Sequence, residues 1–93
     1  MNTSEPRRTL KIVNEKGLHA RASAKFVETV EKFDATAEIY KDSLSASGDS
    51  IMGLLMLAAS KGTSIEVETR GVDAANLADA LQELIASRFG EDC

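Results

Sequence analysis

Four short stretches of this chain alternate apolar and polar residues, and each keeps its apolar residues on one side. They are Thr9–Val13, Thr36–Tyr40, Ser43–Ser47 and Thr63–Thr69, with Leu10/Ile12, Ala37/Ile39, Leu44/Ala46 and Ile65/Val67 as the apolar members. Successive side chains of a strand point to opposite faces, so each run reads as a strand buried on one face and wet on the other. A parallel sheet covered on both faces would need strands that are apolar throughout. The pattern therefore predicts one sheet, mostly antiparallel, with every helix on the same side.

Between these runs the period changes. Ala22, Phe26, Val30 and Phe33 recur at helical spacing with Val27 beside them, while Lys25, Glu28, Glu31 and Lys32 take the other face; this predicts a helix from about Ala20 to Lys32. The apolar run Ile51–Ala59 reads as a second helix, with Gly62 just past its end. Asp73 is a good N-cap for a third, whose apolar face is Leu77, Leu81, Leu84 and Ile85 and which Gly90 ends. Lys41-Asp42 joins the middle two alternating runs as a hairpin. The order βαββαβα, with one wet sheet face, predicts an α+β open-faced β-sandwich: four strands and three helices on one face. With 93 residues the chain has room for one domain, over residues 9–90, and residues 1–8 and 91–93 are expected to be flexible ends.

Composition removes several function classes. One Cys, at position 93, forms no internal disulfide, and one Cys with one His cannot supply a zinc site, so neither metal nor cofactor is expected. The longest apolar run is nine residues and contains Gly53, whereas a membrane-spanning helix needs about 20. The stretch Met1–Val13 has no apolar block of the kind a secretory signal carries, which leaves no membrane insertion and a cytoplasmic location as the expectation. Four aromatic residues and a net charge of -4 argue against nucleic acid. The charge is uneven. Residues 1–33 hold seven basic and four acidic residues, a net +3, and residues 34–93 hold four basic and eleven acidic, a net -7.

The only histidine, His19, lies in the basic third, between a turn and the first helix, in Gly17-Leu18-His19-Ala20-Arg21-Ala22-Ser23-Ala24. The first N–H groups of a helix lack internal partners and carry partial positive charge, so a helix start is an anion site. Arg21 adds a planar fork suited to phosphate. An imidazole, free N–H groups and one Arg are the parts needed to accept a phosphoryl group on nitrogen and hold its charge. The same residues also fit an ordinary capping histidine in a small-molecule-binding regulatory domain, or a base in a small hydrolase. Ser50, just ahead of the second apolar run, is the expected N-cap there, with Asp49 as an alternative.

Two motifs carry a family resemblance. The GLHAR turn before an amphipathic helix resembles the active-site segment of the histidine-containing phosphocarrier (HPr) family of the bacterial phosphotransferase system, and Asp49-Ser50-Ile51-Met52-Gly53-Leu54 resembles that family's regulatory serine segment. The likeness covers roughly residues 8–90. It implies a phosphocarrier, not an enzyme, acting as a monomer. It would accept phosphate on Nδ1 of His19 from Enzyme I, charged by phosphoenolpyruvate, and pass it to enzyme IIA-type proteins. The resemblance further implies Arg21 beside the phosphate, Ser50 as a site for HPr kinase/phosphorylase, Ile51 and Met52 as a partner-binding patch, and strand order 1-4-2-3. One departure is Ala22, where the family usually has Pro; Ala keeps a free N–H in the first turn, which can serve as one more phosphate donor.

Overall fold

A computed structural model describes residues 4–92. Its elements run β1 (Arg8–Lys11), α1 (Ala20–Glu31), β2 (Ala35–Lys41), β3 (Leu44–Ser47), α2 (Ile51–Met56), β4 (Ser64–Gly71) and α3 (Ala74–Ala86), followed by a short turn at Arg88–Gly90. The strands form one antiparallel sheet in the order β1-β4-β2-β3, and the α+β open-faced sandwich is borne out.

The register explains the alternation. Leu10 pairs with Ile65, Ile39 with Val67, and Ile39 again with Ala46, so one row of apolar side chains crosses the sheet. That row meets Ala22, Phe26 and Val30 of α1, Leu54 of α2 and Leu77, Leu81 and Ile85 of α3 in one core. The other face is polar. The Arg7 guanidinium stacks 3.8 Å above the Tyr40 ring, and the Tyr40 hydroxyl donates to Glu68 at 3.2 Å. Leu44 is the exception among the alternating apolar residues, half exposed at the hairpin end of the edge strand.

Several boundaries differ from expectation, each for a local reason. The second helix stops at Met56, not Ala59. Ala58 turns to φ 53°, and the Ala59 carbonyl accepts the Leu18 N–H at 2.9 Å. Gly62 consequently caps no helix; it lies in the turn into β4 and donates its N–H to Ile12 at 2.8 Å. Asp73 does precede α3, but its carboxylate makes no cap there and accepts the Asp34 N–H at 2.8 Å. The third helix ends at Ala86, four residues before Gly90. Both ends expected to be flexible carry contacts within the described residues. Ser4 bridges to Arg70, the Glu5 N–H donates to Thr69 at 3.0 Å, and Glu91 reaches the start of α1; Met1–Thr3 and Cys93 lie outside the described residues.

Candidate functional site

The turn Asn14–Leu18 sets where α1 begins. Gly17 adopts φ +63°, and a Cβ there would sit 2.4 Å from the Ala59 carbonyl oxygen, so only glycine lets the two backbones meet. The buried Asn14 donates its Nδ2 to the Gly17 carbonyl at 2.9 Å, and the Ser23 hydroxyl donates to the Leu18 carbonyl at 3.2 Å. The early end of α2 thus provides the shelf on which Gly17 and Leu18 rest.

His19 is the N-cap of α1, with extended backbone (φ -76°, ψ -178°) and its carbonyl accepting the Ser23 N–H at 2.8 Å. The cap is made by the imidazole itself, whose Nδ1 accepts the Arg21 N–H at 3.3 Å. A nitrogen that accepts must present its lone pair, so the proton of the neutral ring sits on Nε2. Nε2 donates to the Glu91 carboxylate. The other Glu91 oxygen accepts Nδ2 of Asn14 at 3.0 Å. Burial pushes the Glu91 carboxyl up, but the hydrogen bonds from Asn14 and His19 and the nearby Lys16 charge outweigh it and hold it below its ordinary range. The Asn14 Oδ1 is buried with no donor among the described residues.

The imidazole keeps 26% of its side-chain exposure, so a partner can still reach it. It opens into a concavity of about 590 Å³ lined by Lys16, Arg21, Lys25, Gly90, Glu91 and Asp92. Arg21 is exposed, and its guanidinium has no ion-pair partner among the described residues. The site therefore combines a lone pair on Nδ1, a carboxylate behind the ring, unused N–H groups of the first helical turn and an unpaired guanidinium. That set can take up an anionic electrophile on nitrogen and hold its charge. Among the described residues no group of three or more His, Cys, Asp or Glu side chains is gathered so as to hold a metal ion.

Ser50 is the N-cap of α2, its hydroxyl oxygen accepting the Gly53 N–H at 3.0 Å. Asp49 does not compete for that role; its carboxylate accepts the Ser47 hydroxyl at 2.6 Å. Gly53 packs closely, since a Cβ there would lie 3.1 Å from the Ser50 oxygen and 3.2 Å from the Ala46 Cβ. Ile51 and Met52 are exposed, joined by Met56 at 72% exposure. None of these α2 residues lines the concavity around His19. Met56 extends the patch one helical turn along α2, a consequence of spacing from Met52 that the sequence reading left unused. Glu91, Asn14 and Lys25 were also missed. The one available signal was Phe89, which continues the α3 stripe four residues after Ile85.

The chain matches the family model described as PTS HPr component phosphorylation site, over residues 6–87. It is 48% identical over 85 residues to the phosphocarrier protein HPr of Neisseria meningitidis, which covers 91% of this chain and 96% of that protein. The phosphocarrier protein HPr of Xylella fastidiosa is 43% identical over 83 residues, covering 89% of this chain and 93% of that protein. Among solved structures, HPr-C-His from Thermoanaerobacter tengcongensis superposes with a TM-score of 0.90 at 37% identity, covering 96% of this chain and all of the other.

Proposed function

Because the chain belongs to the HPr family, the phosphocarriers of the phosphotransferase system, we propose that His19 is the residue that carries the phosphoryl group, on Nδ1. The observation that supports this most directly is the fixing of the ring at both nitrogens, with Nδ1 toward the open helix start and Nε2–H toward Glu91. The Nδ1 lone pair attacks phosphorus, the N–P bond forms, and the bond from phosphorus to the donor's leaving group breaks. The ring, still protonated on Nε2, becomes a cation, and the Glu91 carboxylate neutralises it. The Arg21 N–H, freed from Nδ1, turns to a phosphoryl oxygen together with the Arg21 guanidinium, whereas Ala22 is buried and takes no part as a donor. Transfer onward is the reverse attack by an acceptor nucleophile on the same phosphorus.

The donor in this reading is Enzyme I, charged by phosphoenolpyruvate, and the acceptors are enzyme IIA-type proteins. Such a protein is a stoichiometric carrier, without turnover of its own, and works as a cytoplasmic monomer over the domain 9–90. Among the described residues no helix is long and apolar enough to cross a membrane. Ile51, Met52 and Met56 form the apolar part of the docking face; Met is adaptable, which suits successive partners. Ser50 is the regulatory site for HPr kinase/phosphorylase. Its oxygen already sits at a helix start, where phosphate is tolerated, and the added charge beside the docking face weakens Enzyme I binding. The family membership gives no support to the regulatory small-molecule domain or the hydrolase.

The test is incubation with Enzyme I and phosphoenolpyruvate, beside His19→Ala. Acid-labile labelling of at most one phosphate per chain, absent from the variant, is the expected result. Equal labelling of both proteins, or an acid-stable label, overturns the assignment.

A further inference from the structure

We propose that Lys25 is a positioning residue for transfer at His19: its ammonium pins a left-handed turn after α3, and that turn carries Glu91 onto the imidazole. The proposal rests on the reading that His19 takes the phosphoryl group.

The turn is an unfavourable piece of backbone. Arg88, Phe89 and Gly90 have φ of 59°, 55° and 76°, three consecutive residues in the left-handed region. Two of them carry side chains, for which that region is costly, and one of those is aromatic. Such a conformation persists only where the surroundings over-determine it. Phe89 is wholly buried in the core, which anchors the turn from below. The Gly90 N–H donates to Ser87 at 3.0 Å and the Glu91 N–H to Arg88 at 2.9 Å, which close it internally. The remaining restraint comes from another element. Nζ of Lys25, on α1, donates to the Phe89 carbonyl at 2.6 Å.

This chain is rich in carboxylates, yet the Lys25 ammonium, half-buried, has no carboxylate partner among the described residues and spends its position on a backbone carbonyl. Gly90 is shaped to it, since a Cβ at Gly90 would stand 3.3 Å from Nζ. One residue past this clamp, Glu91 delivers one oxygen to Nε2 of His19 and the other to Asn14. The contacts thus link Lys25 to the imidazole through the Phe89–Glu91 backbone. Without the clamp the carboxylate is free to swing away, and the ring can turn about its bond to Cβ and exchange the roles of its nitrogens.

The competing account is that Lys25, which lines the same concavity as Arg21, touches the phosphate directly. A double-mutant cycle separates the two. Lys25→Met and Glu91→Gln are each expected to slow transfer from Enzyme I by about tenfold, the lower end of the scale for groups that orient a metal-bound imidazole through a hydrogen bond. If Lys25 acts through Glu91, adding Lys25→Met to Glu91→Gln slows transfer no further. Additive losses overturn the proposal in favour of direct contact, and a Lys25→Met protein that transfers at the parental rate overturns it outright. Nitrogen NMR of the imidazole supplies an independent readout on protein checked for fold by circular dichroism. Lys25→Met is expected to move the His19 ring resonances toward those of Glu91→Gln, and Lys25→Arg to restore them; unchanged ring resonances in Lys25→Met refute the linkage. Failure of the parental protein to label would remove the carrier reading instead, while the ring resonances still decide whether Lys25 sets the imidazole.

Discussion

Replacing Gly17 by Ala puts the structural account of the site under its hardest test. The new methyl group would have to occupy a point 2.4 Å from the Ala59 carbonyl oxygen and 2.9 Å from the Ser60 Cα, and both obstacles are backbone. They cannot rotate away as a side chain can. Holding Ala at φ +63° already costs about 1 kcal/mol relative to Gly. Relieving the clash means moving the 58–60 loop off the turn, which breaks the 2.9 Å bond from the Leu18 N–H to Ala59. Leu18 is 4% exposed, so that N–H is left without water, at about 1–3 kcal/mol. The combined loss is about 2–4 kcal/mol, and for a domain of this size it lowers Tm by roughly 10–20 °C. Gly62→Ala is the control. Its φ is +90°, but nothing lies within 4 Å of the added Cβ, so it suffers the conformational penalty alone. Thermal melts followed by circular dichroism, with urea titrations to confirm the order, compare the two. Equal Tm values for the two variants, or a Gly17→Ala drop of only a few degrees, would refute the claim that this backbone contact positions His19.

Other outcomes follow from single contacts. Ser50→Ala leaves the Gly53 N–H without its acceptor and should cost about 1 kcal/mol in chemical denaturation, whereas Ser50→Asp, which keeps an acceptor, should hold stability but slow labelling by Enzyme I. Equal labelling rates for Ser50→Asp and the parent would count against the regulatory role. The depressed Glu91 carboxyl contributes stability that is complete above the ordinary carboxylate range and lost as pH falls through its lower folded value. Glu91→Gln should remove that part of the acid limb in pH-dependent melts; an identical limb in both proteins would contradict the His19 and Asn14 contacts. Met52→Glu and Met56→Glu change exposed side chains, so Tm should stay within a few degrees while Enzyme I binding by calorimetry weakens. Unchanged binding in both would move the docking face elsewhere.

The parts of this protein that sequence made legible are those governed by near neighbours. Leu10 and Ile65, or Ile39 and Val67, declare their face by alternation, and pairing then needs only that these faces agree. The N-cap positions of His19 and Ser50 were readable because a cap is a matter of three residues. Helix ends were less readable. Leu57 and Ala59 are as apolar as the helix before them, and what stops α2 is a carbonyl claimed by Leu18, far away in the chain. Strand order 1-4-2-3 came from the family likeness, since alternation says nothing about which strand lies beside which.

The same distinction divides the site itself. One nitrogen of His19 is oriented by Arg21, two residues on, and the other by Glu91, seventy-two residues on. The local half gives any helix-capping histidine an accepting Nδ1, and it would look the same in a protein with no phosphoryl chemistry. The long-range half is what makes the ring specific. It needs Phe89 in the core to anchor the tail, Lys25 on the Phe89 carbonyl to hold the turn, and Asn14 to take the second carboxylate oxygen. Phe89 continues the α3 spacing, but neither Lys25 nor Asn14 has a periodicity or spacing that announces the role, because each acts across elements that meet only after folding. In the proposed transfer the Glu91 carboxylate, already in contact with Nε2, neutralises the imidazolium formed as Nδ1 takes up phosphorus. On that proposal the folded tail supplies both the tautomer before transfer and the counter-charge after it.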